Sequence, residues 1–175
     1  MDQQQKQLNY ELAEKLLAEQ NIWGAAIFGA AAMVLAAVAY GLIGAGGFTY
    51  SFVAVGIGVS VGLTMQYLGR GIDARFPVLA SIYTVGGCLL GNMFTIVIYI
   101  ARAEQASPFR ILRDAPSNEL LEWAGSGVQL ISLFFWMFAV VAAVFFVKRP
   151  LTREERLAIG MYEMRKRSKD SDVFR

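Results

Sequence analysis

Histidine is absent from this 175-residue chain, cysteine occurs once and proline four times. Without histidine the commonest general base and the commonest metal ligand are both missing, so zinc and haem chemistry start from a poor donor set. The single cysteine, Cys88, excludes an internal disulfide and a paired redox motif. Set mid-run among glycines, it reads as a small apolar packing residue. A further absence is the most informative. All 16 basic and 14 acidic residues lie outside four apolar runs, Ile22 to Gly46, Phe48 to Leu68, Phe76 to Ala101 and Val128 to Val147. A hydrocarbon core about 30 Å thick needs roughly 20 apolar residues in a helix. Each run meets that length, so the chain reads as a membrane protein. Ionisable groups persist inside a bilayer chiefly where ion movement, proton relay or ligand binding requires them. These runs hold none, which argues against proton-coupled transport and metal chemistry within the membrane.

The charges that are present set the expected topology. Cytoplasmic flanks collect Lys and Arg near span ends. The segment after Val147 carries nine basic residues against five acidic ones, starting with Lys148 and Arg149. That places the tail inside, and with four spans the N-terminus as well. The Gly46 to Thr49 hairpin is then outside and the Arg70, Asp73, Arg75 turn inside. Ala37, Val38 and Ala39 in the first run form the small-x-small pattern of a signal-peptide cleavage site. The preceding segment is long and net acidic, however, so the run is read as a retained span, with three mature spans as the discarded alternative.

Helices in lipid associate closely through small residues and interhelical hydrogen bonds. Gly58 and Gly62 in the second run, and Gly87 and Gly91 in the third, each form a GxxxG pair. The expected arrangement is a close antiparallel hairpin of these two helices through the four glycines, with self-association of protomers as the other use of the same faces. Asn92, next to Gly91, must find a hydrogen-bond partner in the bilayer. Its expected partner is a carbonyl or hydroxyl of another helix; the sharper alternative is a solute or ion ligand. The first run carries a stripe of Ala25, Gly29, Ala32 and Ala36. The fourth, with Phe134, Phe135, Trp136, Phe138, Phe145 and Phe146, is bulky and reads as peripheral, facing lipid or a partner subunit.

Both flanks show helical periodicity. Leu8, Leu12 and Leu16 recur every four residues, with Glu11 and Lys15 as a favourable pair. Thr152 and Glu155 have capping-box spacing ahead of an expected helix from about Arg153 to Lys169, with Leu157, Met161 and Met164 on one side. Its cluster of Arg165, Lys166, Arg167 and Lys169 suits anionic lipid headgroups. Nucleic-acid binding is not expected, because no stacking platform accompanies the basic residues. The loop from Arg102 to Gly127 is broken by Pro108 and Pro116, and Ser117 is placed to cap a short interfacial helix bearing Leu120, Leu121 and Trp123. Glu119 and Glu122 share a face there, but no nucleophile or metal ligand stands beside them in sequence.

The stretch GRGIDARF from Gly69 to Phe76, followed by GCLLGN from Gly87 to Asn92, resembles a family of small four-span bacterial membrane proteins of uncharacterised function. The two motifs cover about a twelfth of the chain. Pro77 stands where such proteins commonly have glycine, and the basic tail is longer than is usual. The resemblance implies a bacterial inner-membrane location and brings no substrate and no catalytic residues.

The expectation is therefore an all-α protein. It has an N-terminal cytoplasmic amphipathic helix over residues 1–21, a four-span transmembrane bundle over 22–147 and a basic cytoplasmic tail over 148–175. No catalytic, cofactor or metal-binding residue is assigned. The expected role is a non-enzymatic accessory, scaffold or assembly subunit, in contact with membrane lipid and joined in a homo-oligomer or hetero-complex. The alternative is a small channel or transporter for a neutral or weakly polar solute, lined by Asn92, Thr95, Ser60 and Thr64.

Overall fold

The computed structural model describes residues 3–46, 52–126 and 128–173, with side chains as far as Ser168. Every element among them is helical: α1 (Gln3–Ala18), α2 (Ile22–Gly44), α3 (Val53–Gly69), α4 (Arg75–Ala103), α5 (Pro108–Asp114), α6 (Ser117–Ser126), α7 (Leu130–Val147) and α8 (Arg153–Val173). Three of these, α2, α4 and α7, are long and apolar enough to cross a membrane. The apolar helix α3 has 17 residues, or about 25 Å at 1.5 Å per residue. The run assigned to it begins at Phe48, and positions 47–51, which include all of the expected Gly46 to Thr49 hairpin except Gly46, lie outside the described residues.

Local chemistry fixes several of the helix ends. The Asn21 side chain accepts a 2.8 Å hydrogen bond from the Gly24 N–H and starts α2. Ser107 caps α5, accepting from the Arg110 N–H at 3.3 Å, with Pro108 at the first helical position. At α8 the Thr152 N–H donates to Glu155 Oε2 at 2.7 Å, and the Glu155 N–H donates to Thr152 Oγ1 at 3.3 Å. This is the reciprocal capping box that the spacing implies. α3 ends with Arg70 in the left-handed region, φ 48°. Glycine is the residue that reaches that region without strain, yet here it is the arginine that does so. The adjacent Gly71 meets a different constraint, because a Cβ there would sit inside the Phe76 ring.

The chain forms two compact units, Asn21–Lys148 and a second one made from the two flanks, Met1–Gln20 with Arg149–Arg175. Two flanks that read as separate segments thus pack as an α1–α8 pair. In the larger unit α2 lies against α3 and α4, and α7 against α3 and α4. The shared core includes Ala25, Ala54, Ile57, Val61, Met65, Phe76, Ala80, Cys88, Trp136, Ala139, Ala143 and Val147.

The glycines join other helices than the sequence suggests. A Cβ on Gly58 would land on the Ala139 carbonyl, and one on Gly62 would come 2.8 Å from the Ala143 carbonyl oxygen. Both contacts advance in the same direction, so α3 and α7 run parallel, with GxxxG meeting AxxxA; further along, Gln66 Nε2 donates to the Lys148 carbonyl at 2.8 Å. Of the other pair, Gly91 faces the Tyr40 ring of α2, whereas Gly87 lies between Ile57 of α3 and Met33 of α2. Gly41 and Gly44 of α2 return the contact at Phe94 and Thr95, which makes α2 and α4 parallel too. The expected hairpin through all four glycines is thus reduced to Gly87 against Ile57, and the closest backbone approaches are two parallel seams. Depth explains the choice. The turn after Gly69 is short, so on antiparallel α3 and α4 Gly58 and Gly62 lie 11 and 7 residues above it, and Gly87 and Gly91 lie 12 and 16. The pairs could meet at only one glycine each. α7 is correspondingly less peripheral than its phenylalanines suggest. Phe134, Phe138 and Phe145 are exposed, but Ser132, Trp136, Ala139, Ala143 and Val147 form a buried face.

Candidate functional site

Polar side chains in the bundle are consumed locally. Ser81, Thr84 and Thr95 donate to the carbonyls of Pro77, Ala80 and Gly91, each four residues back, at 2.8 to 2.9 Å. Such bonds satisfy a hydroxyl within its own helix. Asn92, buried to 8% exposure, donates through Nδ2 to the Ala124 carbonyl at 3.5 Å. It thereby holds the last turn of α6 against α4. Ser60 is exposed and Thr64 half-buried on α3, and Thr95 sits against Gly44. Of the four residues named as a possible solute path, Asn92 and Thr95 are thus already hydrogen-bonded. Among the described residues no group of three His, Cys, Asp or Glu side chains is placed to hold a metal. The Trp136 Nε1–H is buried with no hydrogen-bond partner; an indole amid phenylalanines gave no signal of this in sequence.

The α1–α8 pair has two different sides. On one, Asn9 Nδ2 reaches Met161 Sδ at 3.7 Å. Leu12 lies three residues after Asn9, and Leu157 and Met164 lie four before and three after Met161, so they share that side of the pair. Leu157 and Met164 are 57% and 67% exposed, and Leu8 is 70% exposed. Beside the Asn9–Met161 contact, Ala13, Leu16 and Ala158 are buried. The expected Leu8–Leu12–Leu16 stripe is thus split, Leu16 inside and Leu8 outside. On the other side, Arg165 lies 4.6 Å above the Tyr10 ring in a cation–π contact. Glu14, Tyr162 and Lys166 line the same recess. Arg149 donates to Glu19 at 2.9 Å and lies 4.0 Å from Glu155, tying the two helices at their other end.

Part of the basic cluster is engaged with α1. Arg165 and Lys166 border the Tyr10 recess, all three of Arg165, Lys166 and Arg167 are exposed, and the Lys169 side chain lies outside those described. Arg153, four residues before Leu157, and Arg167, three after Met164, bracket the exposed apolar stripe instead.

At the far end of α4 a groove of about 530 Å³ opens between α2, α4 and α5. Val38 and Leu42 form one wall, Phe94, Val97, Ile98 and Ala101 the floor, and Phe109 and Leu112 of α5 the roof. Its charged rim is Arg102, whose Nη1 donates to the Ala45 carbonyl at 2.6 Å. The Ser107–Pro108 pair that starts α5 is legible as a helix start, although prolines in this loop first read as breaks. No family model matches this chain, and no curated protein or solved structure matches it.

Proposed function

We propose that this is a non-enzymatic, four-span integral protein of a bacterial inner membrane, with both termini cytoplasmic, that serves as an accessory or assembly subunit in a homo-oligomer or larger complex. The observation that carries the reading is the contrast between its two units. The bundle is closed by backbone-to-backbone seams of small residues, and the hydroxyls of Ser81, Thr84 and Thr95 are spent on their own helix. The α1–α8 pair, by contrast, leaves Leu8, Leu157 and Met164 in the open, bracketed by Arg153 and Arg167. An exposed apolar stripe with charged margins is the character of a contact surface. α3 serves as the fourth span in this reading, and the GRGIDARF and GCLLGN resemblance supports the bacterial location. The channel alternative draws less support, since Asn92 is engaged with Ala124 and Thr95 with its own helix, while Ser60 is exposed.

Crosslinking in intact membranes followed by extraction in mild detergent tests the proposal. A defined oligomer or reproducible complex is expected, and it should be lost in the double variant Leu157→Glu, Met164→Glu while the protein still enters the membrane. A monomer in every condition would refute it.

A further inference from the structure

The groove beside Arg102 differs from an ordinary lipid-facing surface in two ways. It is bounded by three helices: Pro108, Phe109 and Leu112 of α5 line it together with residues of α2 and α4. It is also polarised, because every side chain lining it is apolar except Arg102 at the rim. Its volume, about 530 Å³, falls within the roughly 300–1,000 Å³ of small-molecule sites. Depth fits the same pattern. Phe94 is 19 residues from Arg75 along α4, about 28 Å at 1.5 Å per residue, close to a hydrocarbon thickness. The groove from Phe94 to Arg102 therefore straddles the boundary at which acyl chains end and headgroups begin.

Arg102 is prepared for an anion. A guanidinium has five N–H donors, and the bond to the Ala45 carbonyl fixes it at the end of α2 while engaging only one of them. No carboxylate pairs with it among the described residues, whereas Arg110 and Arg113 nearby both face Asp114, at 3.6 and 3.0 Å. We propose that the groove holds one acyl chain of an anionic glycerophospholipid, whose phosphate is bound by Arg102, and that α5 is the cover of this site. The proposal rests on the bundle lying in a bilayer and not on the assembly role, so it survives a monomeric protein.

Full-length protein, recovered from the membrane fraction, is delipidated in mild detergent and titrated with phosphatidylglycerol or with phosphatidylcholine of the same chains, and bound lipid is counted by native mass spectrometry. One phosphatidylglycerol per protomer should be retained in preference to phosphatidylcholine. Arg102→Gln should weaken that retention about tenfold, the order of one charge-assisted contact, and Arg102→Lys should recover part of it. Val38→Trp, at an exposed position on the groove wall, should exclude the chain and reduce both lipids. Equal retention of the two lipids by the wild-type protein would overturn the proposal, as would retention unchanged in both Arg102→Gln and Val38→Trp. Displacement of phosphatidylglycerol by equimolar laurate would overturn it too, by pointing to a free fatty acid. Absence from the membrane fraction would instead remove the bilayer premise, a separate result.

Discussion

A single methyl group on Gly58 tests the parallel α3–α7 seam. In the structure a Cβ at this position coincides with the Ala139 carbonyl, and the Ala139 Cα is only 3.0 Å away. These are backbone atoms that no rotamer change can move, so Gly58→Ala must push the helices apart. Displacements of about 0.5–1 Å forfeit a quarter to a half of the dispersion well of each contact along the seam. Inserting extra atoms into close packing typically costs about 1–3 kcal/mol. Against this stands the helix-propensity gain of glycine to alanine, about 1 kcal/mol. Gly56, one turn-half away on the same helix, isolates that gain, because nothing lies within 4 Å of a Cβ there. The two substitutions share chemistry and differ only in what the methyl meets. Gly58→Ala should therefore fall below Gly56→Ala by about 1–3 kcal/mol, a midpoint difference of roughly 2–12 °C for a chain of this size. Cys88 supplies the assay. It is the only cysteine and fully buried in the bundle core, so a thiol-reactive fluorophore reports its exposure as the detergent-solubilised protein is heated. Equal midpoints for the two variants would refute the seam. A lower midpoint for Gly56→Ala would show that the other face of α3 carries the contact.

The other contacts make their own predictions. Asn92→Leu removes the donor to Ala124 and should cost about 0.6–1.7 kcal/mol, read by the same thiol assay, and should speed tryptic cleavage near Arg113 as α6 loosens; unchanged cleavage would exclude Asn92 as the tether of α6. In proteoliposomes Asn92→Leu should leave solute flux as it is in wild type, whereas abolished flux would favour the channel reading. Thr152→Ala breaks the capping box and should destabilise the start of α8 by about 0.5–2 kcal/mol, seen as faster amide exchange over residues 153–156. Arg149→Ala loses partly exposed ion pairs with Glu19 and Glu155 and should weaken α1–α8 docking by at most about 1 kcal/mol, with high salt erasing the difference.

Local chemistry accounts for what was legible in the chain. Apolar runs marked α2, α4 and α7 as helices long and apolar enough to cross a membrane, and Thr152 with Glu155 marked the start of α8. Those signals work because a cap, a run length or a charge acts within a few residues of itself. The same reasoning identified Asn92 as needing an interhelical partner but could not name Ala124, 32 positions away. Nor could the basic cluster show that Arg165 stacks over the Tyr10 ring, which α1 brings from 155 positions away.

What the sequence determined by itself is the solvent of each segment: charge and hydropathy decide whether a helix can lie in lipid, and the lack of histidine and of charge within the spans limits the chemistry possible there. Which helices touch was decided only by tertiary structure. A GxxxG pair states that a backbone can approach closely and is silent on which one, because glycine contributes no shape of its own. Relative depth settles the matter. Gly58 and Gly62 reach the level of Ala139 and Ala143 on α7, and Gly87 and Gly91 that of Met33 and Tyr40 on α2. Depth depends on the lengths of helices and turns across the whole bundle, which no single motif contains.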